Sequence, residues 1–151
     1  MSRTREGLTT LARCEDHEMD HAEAAAFARR WAEQWNTKDL EGLLGHFTDN
    51  VVFTSPITGQ VLPESGGVLR GKEAVRHYWG EGLRRIPDLH FEVEAVYAGV
   101  NTVVINYRNH TGALVCEVLR FDGPLVVEGH GTYLTDDAAD ASGVVPDEGA
   151  A

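Results

Sequence analysis

The chain has 151 residues, a formal net charge of -11 and 42% hydrophobic residues. That length suffices for one domain with a conventional core, without disulfides or metals. The acidic balance argues against a nucleic-acid groove or an anionic membrane surface, both of which reward clustered Lys and Arg, so a neutral or apolar partner is expected.

Residues 1–19 read as a flexible leader, followed by one domain over 20–134 and a disordered acidic tail over 135–151. A literal His-Glu-x-x-His at His17, Glu18 and His21, the spacing of zinc-protease helices, straddles the leader and the start of the first helix. Catalytic zinc also needs a third ligand and an anchored helix, whereas the neighbours Cys14, Glu15 and Asp16 are polar. The stretch therefore reads as the approach to a helix, and no metal is expected. Cys14 and Cys116 lie in unlike contexts and read as reduced thiols. No apolar run approaches the roughly 20 residues of a membrane span, and no signal peptide is evident, so no membrane partner and a cytoplasmic location are expected.

Asp20, with Glu23 three residues later, resembles a capping box. Behind it Ala24, Phe27, Ala28, Trp31 and Trp35 recur at helical spacing. A second helix is expected after Thr37, with Leu40, Leu43, Leu44 and Phe47 on one stripe. "VVF" at 51–53 is a short strand, and the Pro- and Gly-rich run to Arg70 reads as a loop or lid. Gly66, Gly71 and Lys72 match a phosphate-loop spacing, but Glu73 stands where Ser or Thr would hold magnesium, so Gly71-Lys72 reads as a helix start. That third helix ends before Pro87. Four β-type segments follow: "LHFEVEAVYAG", "TVVINYRNH", "GALVCEVLRFD" and "PLVVEGHGTYL". Three helices followed by a strand meander predict an α+β domain, with helices packed on a curved, mainly antiparallel sheet.

The segments "WAEQWNTKDLEGLLGHFTDNVVFTSP", "GKEAVRHYWGEGLRRIPDLHFEVE" and "EVLRFDGPLVVEGHGTY", in that order, resemble the nuclear-transport-factor-2-like superfamily. This group includes ketosteroid isomerase and the SnoaL-like polyketide cyclases. The resemblance implies a cone-shaped fold around one deep pocket for a small, mostly apolar or carbonyl-containing molecule, and a homodimer. It also implies specific positions. Ser55 stands where the isomerase has its proton-moving aspartate before a proline, and an unassisted serine is too weak a base to replace it. Trp31 and Glu117 match the oxyanion-hole positions. Gly129 and Gly131 match the cyclase's acid–base pair and should enlarge the cavity, with His130 on the other face.

Glu117, flanked by Cys116 and Val118, is the candidate acid or base, because burial would raise its pKa toward neutrality. If Thr111-Gly112 is a two-residue hairpin turn, Asn106 lies opposite Glu117 and Arg108 opposite Val115, all on one face. One bulge would reverse that parity. The expected catalytic set is thus Glu117, Asn106, Arg108 and Ser55. Trp31, Phe53, Tyr78, Trp79, Val115, Gly129, Gly131 and Tyr133 are expected to bind substrate. The expected function is that of an enzyme without metal or organic cofactor, of the cyclase, isomerase or hydrolase type. The substrate would be polyketide-, terpenoid- or steroid-like. The alternative is a non-catalytic ligand-binding or dimerisation module.

Overall fold

The computed structural model describes residues 19–135, so His17 and Glu18 of the leader motif and the tail from 136 lie outside the described residues. Helix α1 (His21–Asn36) begins where Asp20 accepts a hydrogen bond from the Ala22 N–H at 2.7 Å, and buries Ala24, Phe27, Ala28, Trp31, Ala32 and Trp35 on one stripe. His21 is therefore the first residue of a capped helix.

Helix α2 (Leu40–Leu44) is shorter than its apolar stripe predicts. Asp39 caps it, and it closes at Gly45. Phe47, expected on that stripe, instead opens strand β1 (Phe47–Thr54) and buries its ring 5.3 Å from Trp79. In so short a segment, a residue three positions after Leu44 serves either period, and tertiary burial decides.

The run expected as a loop or lid holds regular structure: helix α3 (Pro56–Val61), a 3-10 turn (Pro63–Ser65) and strand β2 (Val68–Arg70). Pro56 supplies the fixed φ of a first helical residue, and the Ser55 hydroxyl accepts from the Ile57 N–H at 3.2 Å. Gly67, at φ 84°, lets the chain return onto Ser55, whose N–H donates to the Gly67 carbonyl at 3.0 Å. Helix α4 (Lys72–Arg85) starts behind Gly71 at φ 92° and ends before Pro87.

Strands β3 (Glu92–Gly99), β4 (Thr102–Arg108), β5 (Leu114–Asp122) and β6 (Leu125–Tyr133) complete a six-stranded sheet of order β2-β1-β6-β5-β4-β3. Every pairing is antiparallel except β1 with β6. Register shifts in the β1–β6, β3–β4 and β5–β6 pairs bend the sheet. The helices pack on this curved, open sheet, giving the expected α+β architecture, with four helices and a 3-10 turn among the described residues where three helices were expected.

The core lies between α1, α4 and the inward residues of β4, β5 and β6, among them Val103, Ile105, Leu119 and Val126. The Asn36 side chain clamps the chain after α4 onto α1: its Nδ2 donates to the Phe91 carbonyl at 2.9 Å, and its Oδ1 accepts from the Phe91 N–H at 2.8 Å. That two-point contact sets the Phe91 ring against Trp31 at 5.5 Å. Among the described residues, no helix is long and apolar enough to cross a membrane.

Candidate active site

A cavity of about 310 Å³ opens between α3, α4 and the sheet. All three tryptophans of the chain, Trp31, Trp35 and Trp79, form its wall together with Phe53 and Phe91. Ile57, Val61 and Leu62, from the α3 segment expected as a lid, cover one side. This is the apolar, concave setting in which a few polar groups fix orientation.

Glu117 is the charged residue of the inner wall, only 6% exposed. Burial pushes its carboxyl from the ordinary carboxylate range up to about 7, against the lowering effect of a hydrogen bond from Tyr107. The Tyr107 hydroxyl donates to Glu117 Oε1 at 3.2 Å. Its own pKa is held well above the usual phenol value, first by burial and then by the neighbouring carboxylate. Trp31 and Phe91 fix the ring of Tyr107, with centroids at 5.1 and 4.5 Å.

Ser55, at the start of α3, is also buried on the cavity wall. Its oxygen accepts from Ile57, which leaves the hydroxyl proton free to donate to a ligand. Gly131 separates the two groups. A side chain starting there would meet Ser55 Oγ at 3.6 Å and Glu117 Oε1 at 3.7 Å, so the missing Cβ opens the space between a donor and an acid–base group.

Of the residues singled out in the sequence, the structure places Glu117, Ser55, Trp31, Phe53, Tyr78, Trp79, Gly131 and Tyr133 around the cavity. It does not bring Asn106 and Arg108 there. Asn106 pairs with Cys116, and Ile105 pairs with Glu117, so the inward set is Ile105, Tyr107, Val115 and Glu117. Arg108 is exposed on the opposite face, where it donates to the Gly112 carbonyl at 2.8 Å and stands 3.7 Å from Glu94.

The reason is the β4–β5 turn. Asn109 and Ala113 still pair, through the Asn109 N–H and the Ala113 carbonyl at 3.0 Å, leaving a three-residue loop instead of two. Gly112 adopts φ 88°, and Asn109 Oδ1 accepts from the Thr111 and Ala113 N–H groups at 3.0 and 3.1 Å. The signal was present as "NHTG", an Asn that caps its own turn with a Gly three residues on.

Two further expectations are corrected. Val115 is on the inner face but buried in the core, 1% exposed, off the cavity wall. Gly129 is also inward but lies beneath Leu119 and Phe53, at 3.1 and 3.4 Å from its potential Cβ. His130 faces outward as the register requires, bonded to Thr54 Oγ1 at 2.6 Å and Glu128 Oε1 at 3.0 Å. Tyr107 was missed because of the turn. His77, Glu81 and Arg85 also reach the cavity, and their spacing of four along α4, beside Tyr78, was the available sign.

Comparison with known proteins agrees with this fold. Residues 28–139 match the SnoaL-like domain, and the fold superimposes with a TM-score of 0.76 on a SnoaL-like protein of unknown function from Burkholderia thailandensis. That protein is 42% identical, with 79% of this chain and 100% of the other covered. The chain belongs to the SnoaL-like domain family. More distant solved structures share the fold alone. AclR, a proposed hydroxylase from Streptomyces galilaeus, has 22% identity and a TM-score of 0.62 over 84% of this chain and 100% of its own. A proposed ketosteroid isomerase from Kribbella flavida has 16% identity and a TM-score of 0.58 over 74% of this chain and 78% of its own. No curated protein matches this sequence.

Proposed function

We propose that this SnoaL-like protein is a cofactor-independent enzyme that moves a proton on a small, mostly apolar substrate carrying a carbonyl or similar oxygen. The observation that carries this reading is Glu117: a carboxyl in an apolar, aromatic cavity, with its pKa near 7 and a space left open before it by Gly131. A group with that pKa is populated both as acid and as base at neutral pH, which suits it to either half of an enolisation, cyclisation or ring-opening step.

In the base form, Glu117 takes a proton from the substrate while Tyr107 steadies the carboxylate Oε1. Ser55, across the Gly131 gap, donates its hydroxyl to the substrate oxygen on which negative charge develops. Returning the proton from Glu117 to carbon or oxygen completes the turnover and restores the carboxylate. The division of labour differs from the isomerase pattern, since Ser55 replaces the aspartate before the proline and the acid–base role passes to β5. The same reading takes the active form to be a homodimer, which light scattering of the purified protein would check.

The test is Glu117→Gln assayed against a panel of polyketide-, terpenoid- and steroid-like ketones and epoxides. Turnover falls by about 10²-fold or more while ligand binding persists. Unchanged turnover removes Glu117 from the chemistry. Binding without turnover in the wild-type protein favours a ligand carrier of the same fold, a reading supported by the absence of the isomerase's aspartate at Ser55.

A further inference from the structure

The cavity is chemically lopsided. Its inner end holds Glu117, Tyr107 and Ser55, whereas one face of α4 brings His77, Glu81 and Arg85 to its wall, with His77 and Arg85 exposed. Charge at the α4 face does not cancel. The Glu81 carboxylate is closely paired with Arg84 and also lies 3.5 Å from Arg85, so one carboxylate faces two guanidiniums.

Arginines at a helix C-terminus are favoured by the helix dipole alone, which accounts for Arg84 and Arg85 as a pair. It does not distinguish them, and position does: Arg85 lines the cavity and Arg84 does not. The contact of Arg85 with Glu81 is a single long one through Nη2. A guanidinium has five N–H donors, and its planar fork matches a carboxylate. Arg85 is therefore half exposed at an apolar cavity, with most of its donors uncommitted in that pairing, in a chain whose overall charge is -11.

We infer that the ligand is amphipathic, with an anionic head of the carboxylate type held at the mouth by Arg85 and an apolar or aromatic body reaching inward toward Glu117. The opposite orientation would bury an anion beside a carboxyl in an aromatic wall, where desolvation opposes it. This inference rests on the cavity being the substrate site, but it does not depend on Glu117 being catalytic.

The experiment titrates the full-length protein with 2-naphthoate and with its uncharged isostere 2-naphthamide at pH 8, following tryptophan fluorescence. The acid is expected to bind about three- to tenfold tighter, the range for a half-exposed charge-assisted contact. Arg85→Gln should remove that preference while leaving naphthamide binding unchanged. Arg84→Gln, which alters the same ion-pair cluster without touching the cavity, should keep it.

Equal affinities for acid and amide in the wild type, or a preference that survives Arg85→Gln, overturn the inference and leave the acid–base proposal standing. A preference lost equally in both arginine variants also overturns it, in favour of a diffuse field. No quenching by either probe at millimolar concentration also overturns the inference, since an aromatic body then does not enter the cavity, and leaves the acid–base proposal to the Glu117→Gln panel.

Discussion

Two glycines on one strand face illustrate how single atoms divide a site from its scaffold. Gly131 and Gly129 both point inward from β6, two residues apart. A methyl at Gly131 would sit 3.6 and 3.7 Å from Ser55 Oγ and Glu117 Oε1, ordinary contact distances, whereas at Gly129 it would press on Leu119 Cδ2 at 3.1 Å. Gly131→Ala should therefore fold with a stability within about 0.5 kcal/mol of wild type, yet lose ligand binding or turnover because the methyl fills the reacting space. Gly129→Ala should show the reverse, a loss of about 1 kcal/mol in urea denaturation with ligand binding retained, because Leu119 is fully buried and must shift. If Gly131→Ala bound ligand normally, the space between Ser55 and Glu117 would not be where the ligand sits. Both glycines were legible in the sequence as cavity-enlarging positions. Which of them opens the cavity depended on where Phe53 and Leu119 lie, and that is set by packing across three strands.

At the level of elements, the β4–β5 hairpin decides which side chains enter the site. An odd-length loop moves the pairing by one residue, and because the strand period is two, every side chain changes face. A two-residue turn would have sent Arg108 and Asn106 inward and Tyr107 outward, burying a guanidinium in an aromatic wall. The observed three-residue loop instead places Tyr107 beside Glu117, and it is written locally in Asn109 and Gly112. Gly112→Val imposes φ 88° on a β-branched residue and should cost about 1–3 kcal/mol. Asn109→Ala removes the acceptor for two backbone N–H groups and should cost about 1 kcal/mol. Urea midpoints measure both, and a neutral Gly112→Val would show that the loop does not fix the register. The long helices α1 and α4 and all four late strands were readable from periodicity and caps. Helix α3 and strand β2 were not, since six- and three-residue elements carry too few positions for a period, and their stability comes from Ser55, Gly67 and pairing with β1.

Taken as a whole, the molecule keeps the Glu117 carboxyl out of water at the inner, aromatic end of its cavity, and this links the candidate chemistry to global stability. Glu117 is held near pKa 7 in the folded state and returns to about 4.5 when the chain unfolds. Between those values the folded protein holds a proton that the unfolded chain has lost, so the contribution of Glu117 to unfolding free energy falls as pH rises. It is fully present below about 4.5, declines through the interval and is lost above about 7, with a total on the order of 3 kcal/mol. Glu41 and Glu128, whose pKa values are lowered by Arg76 and by His130 and Arg120, contribute with the opposite sign and lose their contribution below that interval, as pH falls under the ordinary carboxylate value. A difference measurement isolates the buried group. Glu117→Gln keeps the shape and the hydrogen bond from Tyr107 while abolishing the titration. The variant should match wild-type stability at pH 4.5, where Glu117 is neutral in the folded protein, and exceed it by on the order of 2–3 kcal/mol at pH 8. Urea denaturation of both proteins at the two pH values checks this. A pH-independent difference would mean that Glu117 ionises without penalty in the folded state, removing the raised pKa on which its acid–base role depends. A larger pH 8 stability combined with lost turnover in the same variant would show the trade expected of a functional carboxyl: a group that weakens the fold at the pH where it acts.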